Sequence, residues 1–246
     1  MDFSGEIIRN SPIPFYYQLQ GILQTQIEEH GLPPQTQLPS EAELCERYHI
    51  SRTVVRAALS ALERDGLIHR VKGRGSFVSE PKLQQKISML TSFTEDMRRQ
   101  GIRPGGHVLC QEMVLANETI AQRFGIPKRT AVFYMERVRF ADDEPIGIET
   151  IYLYFQGCEG LVNENLENRS LYETLADKYQ VTIQKADLEL EATLVRPPET
   201  DLLKVQACSP VMLLHRTTYN VNLKPFEYTK CIYRGDRYRF ISSLQK

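Results

Sequence analysis

The sequence predicts an α+β protein made of two unlike parts, and three observations predict it. Up to about residue 79, apolar residues recur at helical spacing between strong cap and stop signals. Later, β-branched and aromatic runs recur at 131–140, 146–155, 181–195, 210–221 and 225–233, mixed with helical stretches. Between the parts, Ser79-Glu80-Pro81-Lys82-Leu83-Gln84-Gln85-Lys86 is polar, carries a proline and has neither a helical nor a strand period. The expected organisation is a helix-and-hairpin domain over 1–79, a linker over 80–90 and a sheet-and-helix domain over 91–246. No internal repeat is visible.

The first helix is expected to open at Pro14, with Tyr16, Leu19, Leu23 and Ile27 on one face before Gly31 stops it. Ser40 followed by Glu43 forms a capping box for the second, whose apolar anchors are Leu44 and Tyr48. Ser51 caps the third, which ends at Asp65-Gly66. On a wheel of that helix, Val55, Ala58, Leu59 and Leu62 share one side, whereas Arg52, Thr53 and Arg56 occupy another within the first two turns. Leu67 to Val71 reads as a strand, Lys72-Gly73-Arg74-Gly75 as a flexible turn and Ser76-Phe77-Val78 as the return strand.

Composition is that of an ordinary globular chain, 41% hydrophobic and 25% charged over 246 residues, which excludes disordered and collagen-like classes. The formal charge is −1, so any affinity for nucleic acid must be local. Residues 47–74 supply that locality, with seven Lys/Arg against Glu63 and Asp65, whereas residues 1–46 hold one Arg and seven acids. Five dispersed cysteines (Cys45, Cys110, Cys158, Cys208, Cys231) read as buried thiols in a reducing cytoplasm, not as a disulfide framework or zinc site. No apolar run is long enough to span a membrane. Met1-Asp2-Phe3-Ser4-Gly5-Glu6 lacks the basic and apolar regions of a signal peptide, so a cytoplasmic location is expected.

A capped helix, a short His49-Ile50 turn, a basic helix and a glycine-rich basic hairpin, in that order, point to double-stranded DNA. The N-terminal residues of such a helix reach base edges and phosphates, and glycines let the hairpin approach a backbone. These blocks resemble the winged helix-turn-helix of GntR-family bacterial transcription regulators: Pro14-Phe15-Tyr16-Tyr17-Gln18-Leu19, Leu38-Pro39-Ser40-Glu41, Ser51 to Leu59, Leu62 to Ile68 and Lys72 to Val78. The resemblance covers about residues 12–79 and implies DNA contacts from Ser40, Arg52, Thr53, Arg56, Lys72 and Gly73. Many members carry an arginine two residues after the serine of the Pro-Ser-Glu block; here it is Ala42, so that contact does not carry over.

In the second part, strand alternation puts Phe133, Met135, Arg137 and Arg139 on one face. After the turn Ala141 to Pro145, it does the same for Gly147, Glu149, Ile151 and Leu153. Charges among core residues must be paired or given a ligand, and sequence alone leaves both open: an internal Arg–Glu pair, or two cations gripping a phosphate or carboxylate. Ser92-Phe93-Thr94-Glu95 and Ser170-Leu171-Tyr172-Glu173 are cap motifs, and helix starts of this kind also suit an anion. Glu227 and Tyr233 share a face if 225–233 is a regular strand.

Thr91 to Met97, Glu136 to Phe140, Pro145 to Glu149, Ser170 to Glu173 and Pro225 to Thr229 resemble the UTRA effector domain of the HutC branch of that family. The resemblance covers about residues 87–243 and implies a chorismate-lyase-like antiparallel sheet with flanking helices, around a pocket for a small anion. It implies that Ser92, Phe93, Thr94, Arg137, Arg139 and Ser170 hold the anionic group, and that Glu149, Tyr172, Glu227 and Tyr233 face the rest of the ligand. The Thr91–Met97 block resembles that of regulators sensing amino-sugar phosphates, and the resemblance implies an effector of that class.

The expected function is a homodimeric, sequence-specific regulator, most often a repressor, on a pseudo-palindromic operator and under a small anionic effector. No metal, cofactor or membrane is expected. Two other readings stay open: an enzyme on the lyase-like half, and a constitutive DNA-binding dimer. Against the enzyme, His30, His49, His69, His107 and His215 are scattered and no catalytic cluster appears.

Overall fold

The structure is a computed structural model and describes residues 5–29 and 31–244; Met1–Ser4 and His30, read above, lie outside them. The backbone forms two compact units. One runs to Leu83 and adds Gly235–Arg237; the other comprises Gln84–Arg234 and the chain from Tyr238 onward.

In the first unit α1 spans Phe15–Glu28, α2 Glu41–Tyr48 and α3 Arg52–Arg64, followed by β1 Ile68–Val71 and β2 Gly75–Val78. Leu19 and Leu23 of α1, Leu44 of α2, Val55, Leu59 and Leu62 of α3, and Ile68 and Val78 of the hairpin form one core. Tyr16 is not in it: α1 begins at Phe15, and in the first turn Tyr16 is 40% exposed, edge-on to Tyr17. Gln26 is buried on α1 instead. The capping box forms in full: the Ser40 hydroxyl accepts from the Glu43 amide, and the Ser40 amide donates to the Glu43 carboxylate at 2.7 Å. His49 closes α2 in the left-handed conformation, so α2 and α3 are joined by only His49–Ser51. Residues 35–38 add a third, unexpected edge to the hairpin, with the Leu38 amide donating to the Ser76 carbonyl and a bridge between Gln37 and Phe77.

The second unit is a six-stranded antiparallel sheet in the order β4-β5-β6-β9-β8-β7. Its strands are β4 Pro104–Leu115, β5 Ala131–Ala141, β6 Glu144–Leu153, β7 Ile183–Leu194, β8 Pro210–Asn220 and β9 Pro225–Arg234. The helices are α4 Phe93–Arg99, α5 Glu118–Phe124, α6 Leu171–Tyr179 and α7 Pro197–Leu203. Strand parity sorts them. Phe133, Met135, Ile151 and Leu153 pack with Leu171 and Leu175 of α6. On the opposite face Val132 and Tyr228 pack under α5, and Ile148 and Ile232 under α7.

The expected linker is not wholly irregular. Leu83–Lys86 forms a short strand, β3, hydrogen-bonded to β10 (Tyr238–Ile241). Its partner lies some 150 residues away in sequence, so no local period announces it. The cysteines also depart from expectation: all are free, but Cys208 is exposed in the turn before β8, and Cys45 and Cys110 are half-buried. Among the described residues, no helix is long and apolar enough to cross a membrane, and no group of His, Cys, Asp and Glu is placed to hold a metal.

Candidate functional site

Two sets of side chains stand out, one in each unit. In the first, α3 buries Val55, Ala58, Leu59, Ala61 and Leu62 and leaves Arg52, Thr53 and Arg56 exposed. Ser51 caps it through the Val54 amide, and Ser40, Lys72 and Gly73 are exposed too. Gly73 turns the hairpin at φ 77°, a conformation that suits glycine. The cations are not equivalent. Arg56 donates to Glu41 at 2.8 Å, while Arg70 reaches back to the Arg56 carbonyl and the Ser60 hydroxyl and so braces hairpin to helix. Exposed Arg52 makes no ion pair among the described residues.

In the second unit, α4, α6 and the sheet enclose a small cavity with room of about 20 Å³, of the order of one water. Ser92, Phe93 and Thr94 line it from the start of α4, and Ser170 and Tyr172 from the start of α6. From the sheet come Arg137, Arg139 and Glu149, joined by Arg216 and Glu227. Arg137 donates through Nε to Glu149 at 2.7 Å and through Nη1 to the Arg169 carbonyl at 3.2 Å. Arg139 is 1% exposed, donates through Nη2 to the Thr94 hydroxyl at 3.1 Å and lies 4.1 Å over the Phe93 ring. Its Nε and Nη1 have no hydrogen-bond partner, and Nε stands 3.8 Å from Glu149.

Glu227 is fully buried and amply paired: it accepts from the hydroxyls of Tyr172 (2.7 Å), Thr218 and Thr229 (3.0 Å), with Arg216 at 3.4 Å. Three guanidinium groups thus face two carboxylates, and the surplus charge is positive. Burial, with Arg137 alongside, lowers Arg139 to about 10; the group stays charged at neutral pH. Burial alone would raise the Glu149 carboxyl, but Arg137 and Arg139 outweigh it and hold it below its ordinary value of 4.5.

That depression sets a pH dependence. A carboxyl held low in the folded state adds stability above 4.5, which is lost as pH falls through the folded value. Glu149→Gln, whose amide does not titrate, is expected to lower the urea midpoint at pH 7, and its gap from the wild type should close on acidification. A gap that stays constant down to pH 3 would remove this account.

Gly106 on β4 is a second lever. A Cβ there would sit 2.7 Å from Arg139 Nη1, so the guanidinium would have to shift from its place. Gly106→Ala is expected to weaken binding of any anion held by Arg139 by about tenfold, roughly 1.4 kcal/mol. Calorimetric titration of both proteins checks it, and equal affinities would show that Arg139 does not hold the ligand.

Of the residues expected at the pocket, nine line one cavity: Ser92, Phe93, Thr94, Arg137, Arg139, Glu149, Ser170, Tyr172 and Glu227. Tyr233 does not. It shares their sheet face but sits opposite Gly147, stacked on Tyr238 at 4.4 Å, filling the space the glycine leaves. Arg216 was missed. Its signal was an arginine on the β8 face that also carries Met212, Leu214 and Thr218, the same pattern that exposed Arg137 and Arg139.

A capped basic helix beside a glycine-turned hairpin, in one chain with a second unit that holds a cationic cavity, is the arrangement of a DNA-binding regulator. Comparison with known proteins agrees. Residues 15–78 match the model of bacterial regulatory proteins of the gntR family, and residues 99–239 match the UTRA domain. The transcriptional repressor NagR of Bacillus subtilis is 40% identical over 240 residues, covering 98% of each chain. The mannosyl-D-glycerate transport/metabolism system repressor MngR of Escherichia coli is 25% identical over 233 residues, covering 95% of this chain and 97% of its own. The crystal structure of PhnF from Mycobacterium smegmatis superposes with a TM-score of 0.66 at 28% identity, covering 92% of this chain and 98% of that one. The chain belongs to the gntR family of bacterial regulatory proteins and is a transcriptional regulator with a UTRA domain. Both curated relatives are named as repressors.

Proposed function

We propose that the protein is a cytoplasmic repressor that binds a pseudo-palindromic operator as a homodimer and is controlled by a small anionic effector, whose entry widens the cavity around Arg139 beyond its room for one water. Arg52, Thr53, Arg56, Ser40, Lys72 and Gly73 form the DNA-facing set. The single observation that carries the effector half is Arg139, a buried guanidinium with two unpartnered nitrogens at a helix-capped cavity of surplus positive charge. Such donors are costly to bury unmet, and an incoming phosphate supplies their acceptors. Glu149 and Glu227 can accept from hydroxyls or an ammonium on the rest of the ligand. Together with the Thr91–Met97 block this favours an amino-sugar phosphate. A relative named for mannosyl-D-glycerate metabolism supports a sugar-derived class.

The test has two stages. Genomic fragments retained by the protein are footprinted at several salt concentrations. Protection of two half-sites one turn apart is expected, with affinity falling about 10³–10⁵-fold between 50 and 200 mM salt if six to ten phosphates are contacted. Glucosamine 6-phosphate, glucose 6-phosphate and glucosamine are then compared for thermal stabilisation and operator release. The first should act most strongly and the uncharged-end control, glucosamine, least. Absence of a sequence-selective footprint would sink the operator reading; no stabilisation by either phosphate would sink the effector reading.

A further inference from the structure

A second cavity, of about 180 Å³, adjoins the first within the same unit, beneath residues 85–91 and against β7 and β8. It differs in character. Leu188, Leu214 and Phe240 give it an apolar side, Gln85, Ser88, Thr91 and Gln184 a neutral polar one, and Lys86, Lys185 and Arg216 line it as cations, with no carboxylate among the lining residues. The Lys185 ammonium is held by Asp187 at 2.8 Å, but Lys86 makes no ion pair among the described residues.

Arg216 lines both cavities. Its Nε is buried without a hydrogen-bond partner, and its Nη2 reaches Glu227 only at 3.4 Å. Glu227 already accepts three hydroxyl hydrogen bonds, so Arg216 keeps unused donor capacity.

We propose that this second cavity is a separate binding site for a small organic anion with an apolar body, such as an aromatic or branched-chain carboxylate. A cavity of about 150 Å³ accommodates benzene, so the volume suits a molecule of about that size or slightly larger. The apolar lining buries the body, and Arg216 and Lys86 take the carboxylate. Gln85, Ser88, Thr91 and Gln184 also line the cavity and can meet polar groups at the edge of that body.

The probe is 4-fluorobenzoate, titrated into the full-length protein and followed by fluorine NMR. Saturable binding is expected. It should weaken at least tenfold in Lys86→Glu, at an exposed position, and in Ala186→Leu, which fills the cavity from β7. Arg139→Lys, in the neighbouring cavity, should leave it within twofold. Unsaturable binding, or binding lost in Arg139→Lys and kept in both other variants, would overturn the proposal.

Discussion

Arg139→Met is expected to abolish effector-driven release of DNA while leaving operator affinity of the effector-free protein within twofold. The buried guanidinium presents two donors that no group in the protein meets. Hydrogen bonds to charged groups contribute about 1.5–3 kcal/mol each, so losing both costs roughly 10²–10⁴-fold in effector affinity. Methionine fills much of the same volume without a charge, and Glu149 keeps Arg137 as its 2.7 Å partner, so the change leaves no buried carboxylate unpaired. The thermal midpoint without effector should therefore hold or rise even as the response vanishes. A structural defect would move both readouts downward together. Arg139→Lys sharpens the test: it keeps the charge but loses the planar fork, and should respond only at raised effector concentration. Release by Arg139→Met at the wild-type effector concentration would show that the anion is held elsewhere.

How much of this site was legible in the sequence follows from the strands that carry it. β5 and β6 alternate regularly along the stretch that bears Arg137, Arg139 and Glu149, so a period of two put all three on one face. The reading could not decide between an ion pair and a ligand site, and the structure holds elements of both: Arg137 pairs with Glu149 while Arg139 stays partly unmet. Parity gives a face but not a position along it, which is why Tyr233 was placed at the pocket although Gly147 draws it toward Tyr238. Caps were legible because their signal lies within four residues: Ser40, Ser51, Ser92 and Ser170 all accept from the amide three positions on. Pairings with distant partners were not, as the third hairpin edge at 35–38 and the β3–β10 ladder show.

Arg52→Ala is expected to weaken operator binding by about 1–3 kcal/mol, or roughly 5–150-fold, and by more than Arg56→Ala. Both arginines lie on the exposed side of α3, and the sequence offered no reason to rank them. The structure does. Arg56 is tied to Glu41 at 2.8 Å and must leave that partner to reach DNA, whereas Arg52 makes no ion pair among the described residues and stands on the first residue of the helix. An exposed pair of this kind contributes at most about 1 kcal/mol, so its loss is affordable but subtracts from what Arg56 gains on the duplex. Glu41→Gln should accordingly tighten binding severalfold, by freeing Arg56 and removing a negative charge beside the phosphates. The salt dependence then assigns each contact. If Arg52 reads a base, Arg52→Ala relaxes preference at one operator position and leaves the salt slope unchanged; if it holds a phosphate, affinity falls evenly across sequences and the slope drops by about one. Equal losses for Arg52→Ala and Arg56→Ala, with no gain from Glu41→Gln, would mean that the Glu41 pair does not tax Arg56 at the duplex.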